Sequence, residues 1–155
     1  MKVSQFMIKD VIYASPNQTI KEVMQLLVEK RIGGVPIVNE NNQLVGIVTD
    51  GDIIRSIKPI DRQLVDLLFY ITVLQGHNLE TRIKDTIDLS ILTIAKKRGI
   101  VTVGIDDDLE KVVSIFSTHH FKKIPVIDDE NRVVGILSRG DVLRTVQKEI
   151  LKSVE

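Results

Sequence analysis

PIVNENNQLVGIVTDGDIIR, residues 36–55, returns as PVIDDENRVVGILSRGDVLR, residues 125–144, with no gap between the two alignments. The pairs Pro36/Pro125, Asn42/Asn131, Val45/Val134, Gly46/Gly135, Ile47/Ile136, Gly51/Gly140, Asp52/Asp141 and Arg55/Arg144 are identical. Most of the others exchange one aliphatic residue for another, and Thr49 becomes Ser138. The register extends upstream, matching VIYA (11–14) to IVTV (100–103) and TIKEV (19–23) to DLEKV (108–112). An internal repeat of this length sets the architecture before any single motif does. Two copies of one unit make up the chain.

Each copy has the same order of elements. VIYA and IVTV are short β-branched runs closed by turn residues, Ser15-Pro16-Asn17 and Asp106-Asp107, and predict strands. Thr19-x-x-Glu22 is a capping box, with Ile20, Val23, Met24 and Leu27 at helical spacing behind it. Asp108 supplies the matching cap in the second copy, followed by Leu109, Val112, Val113 and Phe116. VPIV and IPVI predict buried strands, NENNQ and DDENR hairpin turns, and LVGIV and VVGIL the returning strands. A last helix starts near Gly51 and Gly140. The fold class is α/β (α+β), two β-α-β-β-α units with a helical insert between them. The expected boundaries are 1–57 for the first unit, 58–91 for the insert and 92–150 for the second unit.

In the insert, Asp61 followed by RQLVDLLFYITVLQG reads as a capped helix ending at Gly76, apolar around nearly its whole circumference. Asn78 then starts another helix with Leu79, Ile83 and Ile87 on one stripe. A packing role, at a dimer or partner interface, is the expectation for this region.

Composition narrows the function classes. The 155 residues carry 21 Lys plus Arg and 21 Asp plus Glu, so the formal charge is zero and no nucleic-acid or anionic-membrane partner is expected. With no Cys, disulfides, thiolate catalysis and Cys-based zinc sites are excluded together. The longest apolar run, Leu64 to Leu74, is broken by Asp66 and Thr72 and falls short of the roughly 20 residues of a membrane helix. A cytoplasmic protein is the expectation.

Thr49-x-x-Asp52 and Ser138-x-x-Asp141 stand where a strand feeds a helix, the hydroxyl near the N-cap and the acid three residues on. Capping alone explains that spacing. The same junction also offers free N–H groups for a phosphate, with a carboxylate able to accept from both hydroxyls of a ribose.

This order of elements, with Pro in the second strand and Gly in the third followed by hydroxyl-x-x-Asp, resembles the cystathionine-β-synthase (CBS) domain family. The resemblance covers residues 1–55 and about 92–150, and two copies in one chain resemble the tandem called a Bateman module. It implies units packed through their sheets about a pseudo-twofold axis, two clefts for adenosine-containing ligands, a regulatory role and a homodimer. It further implies ribose or phosphate contact at Thr49, Asp52, Ser138 and Asp141. Adenine would lie against Ile12, Tyr13 and Ala14 or Val101, Thr102 and Val103, whose backbone could read its edge. Thr19 matches a ligand-touching position, but its counterpart Asp108 would repel phosphate, so the clefts are expected to differ. Lys122 and Lys123, facing Gly33 and Gly34 in the repeat, suit a di- or triphosphate in one cleft.

No catalytic constellation is present. His119-His120 lacks further ligands for a metal, Asp50 is matched by Arg139 and so forms no repeated acid pair with Asp52, and no P-loop or Rossmann glycine pattern occurs. The expectation is a regulatory module, not an enzyme, needing no cofactor. It would bind AMP, ADP, ATP, NAD or S-adenosylmethionine and signal to an effector protein. A ligand-free interaction scaffold is the alternative, and a nucleotide hydrolase a third.

Overall fold

The computed structural model describes residues 1–58 and 79–154. The first copy contributes α1 (Val3–Phe6), α2 (Ile20–Lys30), β1 (Gly34–Val38), β2 (Leu44–Thr49) and α3 (Asp50–Ile57). After α4 (Leu79–Ile87) and a 3₁₀ turn at Ile91–Thr93, the second contributes β3 (Val103–Gly104), α5 (Leu109–Thr118), β4 (Lys123–Ile127), β5 (Val133–Ser138) and α6 (Arg139–Val154). Antiparallel pairs β1–β2 and β4–β5 have matching registers, Pro36 opposite Ile47 and Pro125 opposite Ile136. Even their irregularities match, between Ile37 and Val38 and between Val126 and Ile127. The expected helix with Leu79, Ile83 and Ile87 on one stripe is α4, which packs against α2 and α3 with Ile83 and Ile87 half-buried. The Asp61–Gly76 helix and its interface role fall outside the described residues.

The first strand of each unit is much shorter than VIYA and IVTV predict. Copy one retains a single parallel bridge, Ala14 to Ile37, and copy two only Val103 and Gly104 beside β4. Proline explains where the ladder stops. Ala14 N–H donates to the Pro36 carbonyl at 2.9 Å and Val38 N–H donates to the Ala14 carbonyl at 3.0 Å. The next rung would need an N–H from residue 36, which proline lacks. Pro125 repeats the restriction in copy two, so Ile12 and Val101 sit beyond the ladder.

Those unladdered residues carry the chain from one unit to the other. Ile8 bridges Ile136 of the second unit, whereas Ala14 bridges Ile37 of the first. Conversely Lys96 bridges Ile47, and Val103 pairs with Val126. The leading segment of each half therefore lies in the core of the other. Val3, fully buried, packs with Val103, Val112, Phe116, Ile124, Val126 and Leu137. Ile91, also fully buried, and Ala95 pack with Ile20, Val23, Val35, Ile37 and Val48. The leads pair Val3 with Ile91 and Ile8 with Lys96, one residue out of step with the Ala14/Val103 match. The extra residue is taken up by the turn at Gly99, whose φ of 60° is open to glycine at no steric cost.

The units meet hairpin to hairpin. Leu44 N–H donates to the Asn131 carbonyl and Val133 N–H to the Asn42 carbonyl, both at 3.0 Å. The side-chain amides repeat the exchange, Asn42 Nδ2 donating to the Val133 carbonyl at 3.0 Å and Asn131 Nδ2 to the Leu44 carbonyl at 3.2 Å. Both asparagines have φ of 61°, a left-handed conformation that Asn tolerates better than other non-glycine residues. This reciprocal set of bonds is the pseudo-twofold relation of the two units.

Candidate functional site

Capping places the carboxylates. Thr49 is the N-cap of α3, and both its N–H (2.8 Å) and its hydroxyl (2.9 Å) donate to one oxygen of Asp52. Arg55, a turn further on, donates to the other oxygen at 2.6 Å. In the second copy the Ser138 hydroxyl and Arg144 donate to Asp141, and Asp141 N–H donates back to Ser138 Oγ at 3.2 Å. The Ser138 hydrogen bond, aided by Arg144 and Lys123, holds the Asp141 carboxyl below the usual carboxylate range against a smaller opposing effect of burial. Each acid thus already has a hydroxyl and a guanidinium, the partners that a ribose diol or phosphate would have to replace or extend.

Thr49, Gly51, Asp52 and Arg55 form one wall of a cleft of about 350 Å³, with Ile47 at its floor. The other wall is His120, Phe121, Lys122 and Lys123 of the second unit, and Lys96 enters from the crossing segment. Four cations therefore converge on one hollow. Lys123 is half-buried, and loss of hydration pushes its ammonium below the ordinary lysine value, with Asp141 and Asp50 opposing. Lys122 bonds Asp50 Oδ1 at 3.0 Å, joining the start of α3 to the second unit. Lys96 lies over the Phe121 ring, 5.1 Å from its centre, and His119 stacks on the same ring with centroids 4.9 Å apart.

Of the residues singled out from sequence, Thr49, Asp52, Lys122 and Lys123 share this cleft. Tyr13 and Ala14 instead line a separate hollow of about 650 Å³ with Ser15 to Gln18 and Val38 to Glu40. Ile12 packs against the first core, Val103 is buried in the second, and Val101 and Thr102 are half-buried. Tyr13 reaches across the units, its hydroxyl donating to the Val133 carbonyl at 3.3 Å. Thr19 caps α2, accepting from Glu22 N–H at 3.2 Å while Glu22 accepts from Thr19 N–H at 2.7 Å. Asp108 occupies the corresponding N-cap position, but no hydrogen bond from its side chain caps α5. Its carboxylate pairs with Lys2 at 3.0 Å, a partner delivered by the exchanged lead that the repeat alignment does not bring near.

Sequence reasoning missed Lys96 and Arg55. Arg55 had a visible signal, its identity with Arg144 one turn after each aspartate. Lys96 had none, because its place depends on the crossing of the lead. His119 and His120 follow Thr118, the last residue of α5, and are not on a helix. The Asp50/Arg139 mismatch also acquires a reason. Arg139 Nη2 donates to the Phe116 and His119 carbonyls at 2.7 and 3.0 Å, capping the end of α5, whereas Asp50 engages Lys122.

A sequence profile described as "CBS domain" matches residues 3–59 and 94–148. Two uncharacterized proteins of Methanocaldococcus jannaschii are similar to the chain. One is 30% identical over 156 residues, covering 100% of this chain and 48% of its own length; the other is 26% identical over 146 residues, covering 94% and 40%. The chain thus spans less than half the length of these relatives. Among solved structures, CBSX2 in complex with AMP superposes with a TM-score of 0.70 at 25% identity, covering 95% of this chain and 96% of that one. The CBS domain pair of protein MJ0100, in complex with 5′-methylthioadenosine and S-adenosyl-L-methionine, gives 0.70 at 25% identity over 96% and 98%.

Proposed function

Because the chain belongs to the CBS domain family, we propose that it is a regulatory module that binds an adenosine-containing nucleotide between its two units and passes the binding event to an effector protein. The observation that carries this reading is the cleft in which Thr49 and Asp52 of one unit face Lys122 and Lys123 of the other. A ribose can share Asp52, and phosphate finds the start of α3 and an ammonium within one hollow. Its walls come from different units, so a ligand that grips both shifts the balance between arrangements of the pair, as a switch requires. The adenosine compounds held by the structural neighbours support the same ligand class.

The module works in the cytoplasm as a homodimer. In support, Val28, Ile54, Leu143 and Leu151 are exposed on α2, α3 and α6, and no helix among the described residues is long and apolar enough to cross a membrane.

Thermal unfolding with AMP, ADP, ATP, NAD or S-adenosylmethionine tests the reading. A ligand at a hundred times its Kd adds about 2.7 kcal/mol, raising Tm by roughly 5–10 °C for a chain of this size. Asp52→Asn keeps an oxygen for the cap and should reduce that rise. No shift with any of them at millimolar concentration would instead favour a ligand-free scaffold, and turnover surviving repurification a hydrolase.

A further inference from the structure

We propose that the cleft selects nucleoside di- and triphosphates over monophosphates, and that the phosphate chain takes Lys122 away from Asp50, opening an ionic latch between the units. This inference rests on the nucleotide reading above and goes beyond it, because it names the phosphate class and the contact that changes. The first support is the number and origin of the cations. Arg55, Lys96, Lys122 and Lys123 all line one hollow, and Arg55 alone is tied to Asp52 within it. A di- or triphosphate brings more negative charge and a longer reach than a monophosphate to three lysines that enter from two different segments.

The second support is the contrast with the pseudo-equivalent positions around Ser138 and Asp141. Ile8 stands there in the place of Lys96, since Ile8 bridges Ile136 as Lys96 bridges Ile47. Gly33 and Gly34 stand in the places of Lys122 and Lys123. A side chain at Gly34 is sterically resisted, for a Cβ there would meet the Val48 carbonyl at 2.9 Å and Thr49 Cγ2 at 3.0 Å. The backbone thus resists a side chain at Gly34, the counterpart of Lys123, whereas a Cβ at Gly33 would meet only the Asp50 side chain, its Oδ2 at 3.2 Å. Three of the four cations belong to one cleft alone.

The third is the latch. Lys122 both lines the cleft and forms the ion pair with Asp50, the one salt bridge among the described residues that joins α3 to the second unit. Its side chain is 62% exposed and that of Asp50 48%, so the pair is weak enough for a polyphosphate to outcompete. Lys123, kept half-dry beside it, supplies an ammonium whose hydration is already partly lost, so an anion regains what burial removed. Asp50, once released, faces the arriving phosphate and is repelled, which pushes the start of α3 away from the second unit.

The test is calorimetric titration of the full chain at fixed ionic strength, with EDTA, using adenosine, AMP, ADP, ATP and inorganic tripolyphosphate. The expected result is ATP binding at least about tenfold tighter than AMP. Lys122→Gln and Lys96→Gln should each weaken ATP several-fold while leaving adenosine unchanged. Asp50→Asn, which frees Lys122, should tighten ATP and leave adenosine unchanged. AMP binding as tightly as ATP, or an Asp50→Asn variant with unaltered ATP affinity, overturns the latch while the nucleotide reading stands. No binding by any adenosine compound overturns both, whatever tripolyphosphate does.

Discussion

Replacing Asn42 tests the pseudo-twofold seam at its centre. Asn42 holds φ at 61° and donates its side-chain amide to the Val133 carbonyl across the seam. Asn42→Ala loses that hydrogen bond, about 1 kcal/mol, because the Val133 carbonyl retains the Tyr13 hydroxyl as a partner. It also places a Cβ in the left-handed region without the local hydrogen bonding that eases Asn, about 1–2 kcal/mol more. The sum is about 2–3 kcal/mol, or a fall of roughly 4–12 °C in Tm. Asn42→Gly loses the same hydrogen bond and the entropy of a freer unfolded chain, about 0.5–1 kcal/mol, but carries no left-handed strain. Glycine should therefore be milder than alanine by up to about 1.5 kcal/mol, and Asn131, with the same φ and the reciprocal bond, should rank its substitutions likewise. Urea unfolding of the four variants at one temperature measures this. A glycine variant as unstable as the alanine variant, or an Asn131 series that ignores the order of the Asn42 series, would refute the argument from backbone conformation.

Two more expectations follow from the core and the caps. Val3→Ala should cost about 2 kcal/mol, and hydrogen exchange should quicken in β5 and α5 of the second unit before β1 and β2 of the first, although Val3 is closer to the latter in sequence. Asp141 has a folded-state carboxyl held below the usual range, so its stabilisation is present above the unfolded value, near 3.8, and disappears as pH falls through the folded value. Urea midpoints from about pH 5 to about pH 2 should fall less steeply in Asp141→Asn than in the parent, and equal slopes would count against a stabilising cap.

Much of the fold could be read because repetition doubled each weak signal. The capping box at Thr19, the asparagine turns and the hydroxyl-x-x-Asp junctions are local chemistry, and local chemistry is written in adjacent residues. The first strands were overread for a reason that is also local but negative. Pro36 and Pro125 do lie in buried strands, and their missing N–H ends the ladder that Ile12 and Val101 would have joined. The crossing of the leads was hidden for a different reason. Val3 and Ile91 look alike whichever core they enter, and hydrophobic pattern carries no address. Lys96 in the cleft and Lys2 beside Asp108 both depend on that crossing. The cleft residues written next to their own helix start were legible, and those arriving from the other half were not.

The exchanged leads also fix how the molecule bears load. A pull on the first residues is transmitted through Val3 and the Ile8–Ile136 bridge to the C-terminal half, while a pull on the segment around Ile91 strains the N-terminal half. Traction at either point thus works on the more distant part of the chain, and severing the two halves by protease would leave a clasped pair rather than two free bodies.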